Sequence, residues 1–320
     1  MGVRNRSEVT MVRILSLVTN NESRFYNQQI DGLRARGHTV DTLSVPGSRN
    51  LGGATKKNRP ISAYLRYYPR VVAAASDGYD LVHANYGLTA PPAILQPFSP
   101  VVLTLWGSDL MGTYGWVSDF CSKFADAVVV MSEEMAEAVS SECYVIPHGI
   151  DLELFRPLPQ AKARTALDWD RDAQHVLFPY DPSRTVKDFP RAERVVERAR
   201  TELDSPIELQ TVSGVDHTEM PQYMNAADSL LLTSKREGLP NSVKEAMACN
   251  LPVVATSVGG VPQLLRGVSH SAVHDADEDL VESLANILRA GERSNGRRMV
   301  APIGLTNQLD RIEHVYESVL

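Results

Sequence analysis

Short apolar runs alternate with amphipathic stretches along most of the chain, which is the pattern of an α/β protein. The runs are continuously apolar, so they predict strands that are buried on both faces of a parallel sheet. We expect strands at residues 12–18, 38–44, 80–87, 100–105, 126–131, 143–147, 175–179, 207–213, 228–233, 252–256 and 270–275. Residues of helical periodicity predict helices at 24–36, 61–75 with an interruption near Pro69, 132–140, 190–203, 240–249, 276–290 and 307–320.

The stretch after the strand at 228–233 carries the densest candidate chemistry. Glu237, Gly238, Leu239 and Pro240 form a turn, in which the glycine supplies backbone freedom and the proline suits a helix start. Asn241 belongs to the same turn, and the helix beginning near Pro240 offers free N–H groups and the positive end of its dipole, which together make an anion site. Ligands of parallel sheets bind outside the carboxyl ends of strands, so this turn predicts a binding loop.

Two carboxylates flank that anion site, Glu237 in the loop and Glu245 in the helix, with Ser242 on the same flank. A diphosphate at the helix start with the carboxylates holding hydroxyl groups around it is one interpretation. The alternative is that Glu245 only offsets the helix dipole and Glu237 is a solvated loop residue.

The wider pattern resembles the donor-site signature of retaining glycosyltransferase family 4, the glycosyl transferases group 1. The match rests on the two glutamates with seven residues between them, the following Ala-Met-Ala, and the segments Pro-Val-Val-Ala-Thr and Val-Gly-Gly-Val-Pro. It implies the GT-B architecture: two Rossmann-like doubly wound domains facing across a cleft. The acceptor-side domain is expected at 1–156 after a disordered tail at 1–10, the donor domain at 157–306, and a helix at 307–320 that packs back on the first domain.

The resemblance also implies roles for individual donor-side residues. Glu237 would hold hydroxyls of the sugar and Glu245 those of the ribose, while Arg184 and Lys187 would neutralise the leaving diphosphate. The family's Arg and Lys usually lie five residues apart rather than three, and both can also be ordinary surface charges. Val215 belongs to a loop that in the family cups the nucleotide base through backbone atoms.

Three residues of the first domain are further candidates. Trp106-Gly-Ser-Asp109 stands where the family commonly has His-Gly-Ser-Asp beside the transferred sugar, so Trp106 replaces an imidazole while Asp109 is kept. His83 ends a predicted strand, where it either reaches the cleft or has a structural role.

Composition narrows the function classes. The 320 residues contain no apolar run long enough to span a bilayer and the start is polar, which predicts a cytoplasmic protein, at most peripheral at the inner face of the membrane. Residues 1–70 hold 12 Lys and Arg against 4 acidic residues in a chain of net charge −7, which predicts a weak contact of this basic lobe with an anionic membrane surface. The three cysteines lack metal-ligand spacing, so neither disulfides nor zinc are expected.

Other classes fit less well. Asp168 and Asp170 have the Asp-x-Asp form of a metal site, but they lie between the expected domains, and no Gly-x-Gly-x-x-Gly turn follows the first strand. The resemblance to family 4 implies a metal-independent retaining glycosyltransferase that uses a UDP- or GDP-sugar as co-substrate, and we expect neither another cofactor nor nucleic acid as a partner. Its acceptor is a glycan, a lipid-linked or a small molecule. The alternatives are a GT-B sugar-nucleotide epimerase and a non-catalytic sugar-nucleotide binding protein.

Overall fold

The computed structural model confirms the predicted fold class, two Rossmann-like doubly wound α/β domains that are each built on a parallel sheet. It describes residues 11–47, 59, 61–203 and 206–320, with only the backbone of Ile61. The tail at residues 1–10, which was predicted to be disordered, lies outside the described residues.

The first domain comprises Met1–His148 and Leu305–Leu320. Its described strands are β1 (Arg13–Val18), β2 (Thr39–Ser44), β3 (Leu81–Asn85), β4 (Val101–Thr104), β5 (Ala127–Val130) and β6 (Tyr144–Val145). They form one parallel sheet in the order β2-β1-β3-β4-β5-β6. The helices are α1 (Arg24–Ala35), α2 (Ile61–Ala75), α3 (Ala90–Ile94), α4 (Gly115–Ser122) and α5 (Glu133–Ala138), with the last helix of the chain. Contrary to the predicted interruption, α2 runs through Pro69.

The second domain comprises Gly149–Gly304. Its strands are β7 (Gln174–Phe178), β8 (Ile207–Thr211), β9 (Ser229–Leu232), β10 (Val253–Thr256) and β11 (Ala272–His274), and the sheet order is β11-β10-β9-β7-β8. Its helices are α6 (Gln160–Leu167), α7 (Phe189–Arg200), α8 (Met220–Ala226), α9 (Asn241–Ala248), α10 (Val261–Leu265), α11 (Asp277–Ala290) and α12 (Gly296–Val300).

Strand order reverses once beside the first strand of each sheet. In the first domain β1 lies between β2 and β3, and in the second β7 lies between β8 and β9. The loops leaving two adjacent strands at such a reversal diverge to opposite faces of the sheet and leave a crevice at the carboxyl ends, which is the usual ligand site of open α/β sheets. The topologically favoured site therefore lies between β1 and β3 in the first domain and between β7 and β9 in the second.

Alternate strand residues of the second sheet enter two separate cores. Leu177, Leu230 and Ala255 pack on one face, whereas Val176 and Leu231 pack on the other face with α7 and α11. Burial on both faces explains why the strands are continuously apolar in the sequence. These strands are rigid supports for the loops that follow them.

The last helix, α13 (Leu305–Val319), belongs to the first domain. Its apolar residues Leu309, Ile312 and Tyr316 are buried in that domain's core. It lies so close to α1 that a Cβ atom at Gly32 would stand 2.5 Å from the Leu309 side chain. Helix α13 thus contributes to the core of the first domain.

The chain enters the second domain earlier than the predicted boundary at residue 156. Phe155 is fully buried in the second domain's core. The Ile150 N–H donates to the Ile303 carbonyl at 3.1 Å, and the Arg297 guanidinium donates to the Leu152 carbonyl at 2.8 Å. These contacts hold residues 149–156 to the second domain.

None of the helices in the described parts of the chain has the length and hydropathy needed to cross a membrane.

Candidate functional site

The β7 and β9 loops meet at the reversal of the second sheet. Lys187 ends the short 3-10 turn Thr185–Lys187 after β7, and Glu237 lies in the loop after β9. The Lys187 Nζ donates to the Glu237 Oε1 at 2.5 Å, and the side chains are only 7% and 12% exposed. Two residues that are fifty positions apart in the sequence thus form a largely buried ion pair at the carboxyl ends of adjacent strands.

An aromatic ring supports the lysine of this pair. The Lys187 Nζ lies 3.8 Å from the centroid of the Tyr180 ring, a favourable position for a cation. The Tyr180 hydroxyl forms a hydrogen bond with the Ser242 hydroxyl, which ties the ring to the start of α9. The exposed Arg184 guanidinium lies 5.9 Å from the same ring. Tyr180 therefore connects three predicted site residues.

Burial lowers the pKa of Lys187, the hydrogen bond and charge of Glu237 oppose that shift, and Arg184 adds to it. The carboxylate of Glu237 is thus what keeps a charged amine favourable in this partly dry position. The pair thus places a positive and a negative charge side by side at this edge of the sheet.

The loop of Glu237 is held by the loop that follows β10. The Gly260 N–H donates to the Gly238 carbonyl at 2.8 Å, and Gly259 has a left-handed φ of +53°. A Cβ atom at Gly259 would stand 2.2 Å from the Glu237 carbonyl oxygen. Only glycine fits this approach, so the pair Gly259-Gly260 fixes the position of the loop.

The helix start lies at the end of that loop. Gly238 is exposed and Leu239 is half-buried, while Asn241 is the first residue of α9 and is half-buried. Ser242 is 8% exposed. The structure therefore brings these four predicted residues together at the end of α9 that carries the free N–H groups.

Glu245 is the other predicted carboxylate of the site. It is buried, and its Oε1 lies 2.9 Å from the Nε2 of His217. His217 belongs to the loop after β8, and its ring packs 5.0 Å from that of Phe155. Val215 of the same loop is half-buried against the domain's core. The β8 loop and α9 thus meet through a histidine that fixes the direction of Glu245.

Lys244, next to Glu245, is also buried, and burial lowers its pKa to about 8 while the charge of Glu245 opposes the shift. Sequence reasoning missed Lys244 together with Tyr180 and His217. Tyr180 could have been suspected, because it follows a predicted strand that faces the binding edge. A pattern along the chain cannot show the contact of His217, since it depends on how β8 and α9 pack.

The first-domain candidates Trp106 and Asp109 close a turn. The Asp109 carboxylate accepts hydrogen bonds from the Trp106 N–H at 2.8 Å and from the Gly87 N–H at 2.9 Å. Burial raises the pKa of Asp109, although the backbone donors oppose the shift. The Asp109 carboxylate thus joins the loops after β3 and β4 within the first domain.

An imidazole lies beside the tryptophan that replaces the family's histidine. The ring of His148 is 4.4 Å from the ring of Trp106 and 5.4 Å from that of Phe25. His148 stands in the segment Ile-Pro-His-Gly that follows β6. The neighbouring side chain of His148 therefore supplies the imidazole that position 106 lacks.

His83 lies inside the first domain and not at a binding surface. It is fully buried, and its ring nitrogens form hydrogen bonds of 2.7 Å with the hydroxyls of Tyr316 and Thr104. Burial lowers its pKa to about 3. Both nitrogens are occupied by groups of the domain, so the structural role that the sequence left open is the one that the geometry supports.

Among the described residues, no three His, Cys, Asp or Glu side chains cluster in a way that would hold a metal ion. Asp168 ends α6 in a left-handed conformation, and the Asp170 carboxylate accepts a hydrogen bond from the Asp172 N–H at 2.9 Å. Their positions match a helix end and a turn.

Comparison with known proteins gives two family matches. Residues 23–154 match the model described as Glycosyltransferase Family 4, and residues 188–290 match the model described as Glycosyl transferases group 1. The D-inositol 3-phosphate glycosyltransferase of Mycobacterium marinum is 28% identical over 209 residues, which are 55% of this chain and 45% of that protein. The alignment thus spans about half the length of this relative.

Solved structures resemble the whole chain in fold. Sucrose-phosphate synthase from Thermosynechococcus elongatus matches with a TM-score of 0.73 and 20% identity, covering 95% of this chain and 98% of that one. Anabaena HepE in complex with UDP-glucose matches with a TM-score of 0.63 and 17% identity, covering 96% and 100%. At these identities the likeness concerns the fold, which is that of GT-B enzymes.

Proposed function

The chain belongs to the group 1, family 4 glycosyltransferases, and from this premise we propose that it transfers a sugar from a nucleotide diphosphate to an acceptor hydroxyl. The bond between the anomeric carbon and the diphosphate oxygen breaks, and a bond from that carbon to the acceptor oxygen forms. The hydroxyl proton leaves with the diphosphate, and the anomeric configuration is retained. The alternative readings are an epimerase and a binding protein, and no feature of the site favours them.

The ion pair at the β7–β9 reversal carries the proposal. It joins a buried amine, Lys187, to a carboxylate, Glu237, beside the start of α9. The amine and the helix N–H groups suit the diphosphate, and the carboxylate suits sugar hydroxyls. A site with only the positive charge would suit the diphosphate alone, and a site with only the carboxylate would suit the sugar alone.

Lys187 and Arg184 act on the leaving group in this proposal. Negative charge grows on the diphosphate as the bond to the sugar breaks, and positive groups that already stand there stabilise the transition state more than the ground state. Lys187 is fixed by Tyr180 and Glu237, whereas Arg184 is exposed and free to close over the phosphates. These two cations supply the charge that a metal ion would otherwise supply, so the proposed mechanism includes neither a metal nor a bound cofactor.

Glu237 and Glu245 select the donor. Glu237 receives hydroxyls of the sugar when the Lys187 amine turns toward the diphosphate, and Glu245, held by His217, receives the ribose hydroxyls. The nucleotide base lies along the β8 loop near Val215, where contacts with backbone atoms allow either a uridine or a guanosine nucleotide. A nucleotide sugar as ligand is in keeping with the UDP-glucose bound by HepE, which shares the fold.

The proposed place of action is the cytoplasm, at the inner face of the membrane when the acceptor is lipid-linked. The acceptor belongs to the first domain, where Trp106 and His148 lie near the turn that the family uses beside the transferred sugar.

The test compares Glu237→Gln and Lys187→Ala with the unsubstituted chain, using UDP- and GDP-sugars chosen by thermal shift. Both variants should lose transfer by about a hundredfold or more. Transfer that stays intact in both variants would exclude this assignment. Release of an altered nucleotide sugar without an acceptor would identify an epimerase, and donor binding without turnover would identify a binding protein.

A further inference from the structure

The first domain contains an apolar pocket at the reversal between β1 and β3. Its cavity of about 460 Å³ is within the range of small-molecule sites and is bounded by residues of the loops after both strands, by α2 and by α3. Thr19 follows β1 and Tyr86 follows β3. The pocket therefore occupies the position in the first sheet that the Lys187–Glu237 pair occupies in the second.

The lining of this pocket is aromatic and aliphatic. Eight of the ten lining residues are tyrosines, leucines or prolines, and the cavity includes Tyr64, Tyr68, Tyr114, Leu65 and Leu88. Bare sugars and phosphates offer little apolar surface to such a lining, whereas a hydrocarbon chain gains free energy with each methylene that it buries. The lining indicates an acceptor with an apolar portion.

Apolar exposure continues outward from the pocket. The rim residues Leu65 and Tyr114 are 69% and 57% exposed, and on α4, which starts directly after Tyr114, Trp116 and Phe120 are 72% and 56% exposed. Trp116 and Phe120 are one helical turn apart, so they share a face. Exposed aromatic side chains are typical of groups that meet lipid, and these follow the pocket residue Tyr114 directly in the chain.

Among the described residues that line the pocket, the charged one is cationic. Arg59 lies on the pocket and donates to the Gly47 carbonyl at 2.7 Å. Arg66 and Arg70 are exposed on α2 but do not line the pocket. Residues 86–98 carry no charged side chain. The carboxylate of Asp119 on α4 accepts hydrogen bonds from the N–H and hydroxyl of Ser140 at 2.6 and 2.9 Å. An apolar pocket with the Arg59 guanidinium on it complements a hydrocarbon chain that ends in phosphate.

We propose that this pocket binds the hydrocarbon chain of a phosphate-bearing lipid acceptor, with the phosphate toward Arg59. This inference rests on the proposed sugar transfer. Of the three acceptor classes, a glycan, a lipid-linked molecule and a small molecule, it selects the lipid-linked one. The apolar site takes the chain, and the acceptor hydroxyl remains outside the pocket for the reaction.

Isothermal titration of the full chain with farnesyl phosphate tests the pocket, with isopentenyl phosphate as a probe of the same headgroup and a short chain. Farnesyl phosphate should bind at least tenfold more tightly. Leu65→Glu and Tyr68→Glu, at positions 69% and 38% exposed, should fold normally and weaken its binding at least tenfold. The matched control Leu158→Glu, 40% exposed in the second domain, should not.

Equal binding of the two phosphates, or unchanged binding of farnesyl phosphate by the pocket variants, would overturn the inference. Binding to phosphatidylglycerol vesicles without binding to farnesyl phosphate would also overturn it, since the surface would then meet only a bilayer. Thermal shift with UDP and GDP on the same samples reports on the donor site. Retained nucleotide binding with no farnesyl phosphate binding would therefore reject the pocket alone, and the reverse result would reject the donor site alone.

Discussion

In both domains the strand order reverses beside the first strand, and in both the loops at that reversal carry a candidate site. In the first domain these loops border a pocket lined by tyrosines, leucines and prolines, with Arg59 on it. In the second domain they bring Lys187 to 2.5 Å from Glu237 beside the start of α9. The same topology thus supports an apolar site and a charged site, because the fold determines where loops meet and the loop residues determine what they bind.

Loss of the buried Lys187 amine should distinguish the two sites most strongly. Lys187→Ala removes the charge that stabilises the leaving diphosphate, so we expect kcat/KM to fall by about 10²- to 10³-fold. The control is Lys235→Ala: Lys235 lies in the β9 loop, is 61% exposed and pairs with Asp188 at 3.6 Å, so transfer should change by no more than about twofold. Farnesyl phosphate binding should be equal in both variants. A Lys187→Ala enzyme with more than a third of the original activity would contradict the charged assignment.

The second-largest effect on transfer is expected at Gly259, where the backbone lies close to the Glu237 carbonyl. Gly259→Ala and Gly291→Ala both place alanine at a left-handed φ, of +53° and +64°, at a cost of about 1–2 kcal/mol each. At Gly259 the new Cβ meets the Glu237 carbonyl, whereas at Gly291 nothing lies within 4 Å. Displacement of the Glu237 loop should lower kcat/KM by about 10- to 100-fold in Gly259→Ala only. Steady-state kinetics beside melting curves would decide, and equal activity in the two variants would show that the loop tolerates the shift.

A smaller effect is expected where a side chain only orients another. His217→Ala leaves Glu245 in place but removes its partner at 2.9 Å, so donor KM should rise by about tenfold with kcat nearly unchanged. The pair His270–Glu292 has a similar distance of 3.0 Å, and its carboxylate is 67% exposed. His270→Ala should leave donor KM unchanged. If kcat fell in His217→Ala while KM stayed constant, His217 would act on the reaction and not on donor binding.

The sequence predicted the sheets well because buried strands must be continuously apolar, as β4 and β9 are. It placed Lys187 and Glu237 on one rim, since both follow strands, but their pairing depends on β7 lying beside β9. The contact between His217 and Glu245 was not predictable, because it needs the packing of a loop on a helix. The direction of His83 was not predictable either, since every residue of β3 is buried and no alternation marks an outward face.

The smallest effect on transfer is expected at His83, a buried histidine of the first domain. His83→Gln should keep kcat within about twofold but lower the free energy of unfolding by about 1–3 kcal/mol at pH 7.5, since it disturbs bonds to Tyr316 and Thr104. Burial lowers the folded-state pKa of His83 from 6.5 to about 3, so between these values the unfolded chain binds a proton that the folded chain does not. Acidification therefore destabilises the unsubstituted protein by about 1.4 kcal/mol per pH unit through this group, and the gap to the glutamine variant should narrow below pH 6.5. Urea unfolding of both proteins at pH 7.5, 6 and 5 measures the gap. A difference in unfolding free energy that does not change with pH would show that the His83 imidazole is not held neutral in the folded protein. Loss of transfer without loss of stability would show that His83 acts at the binding surface.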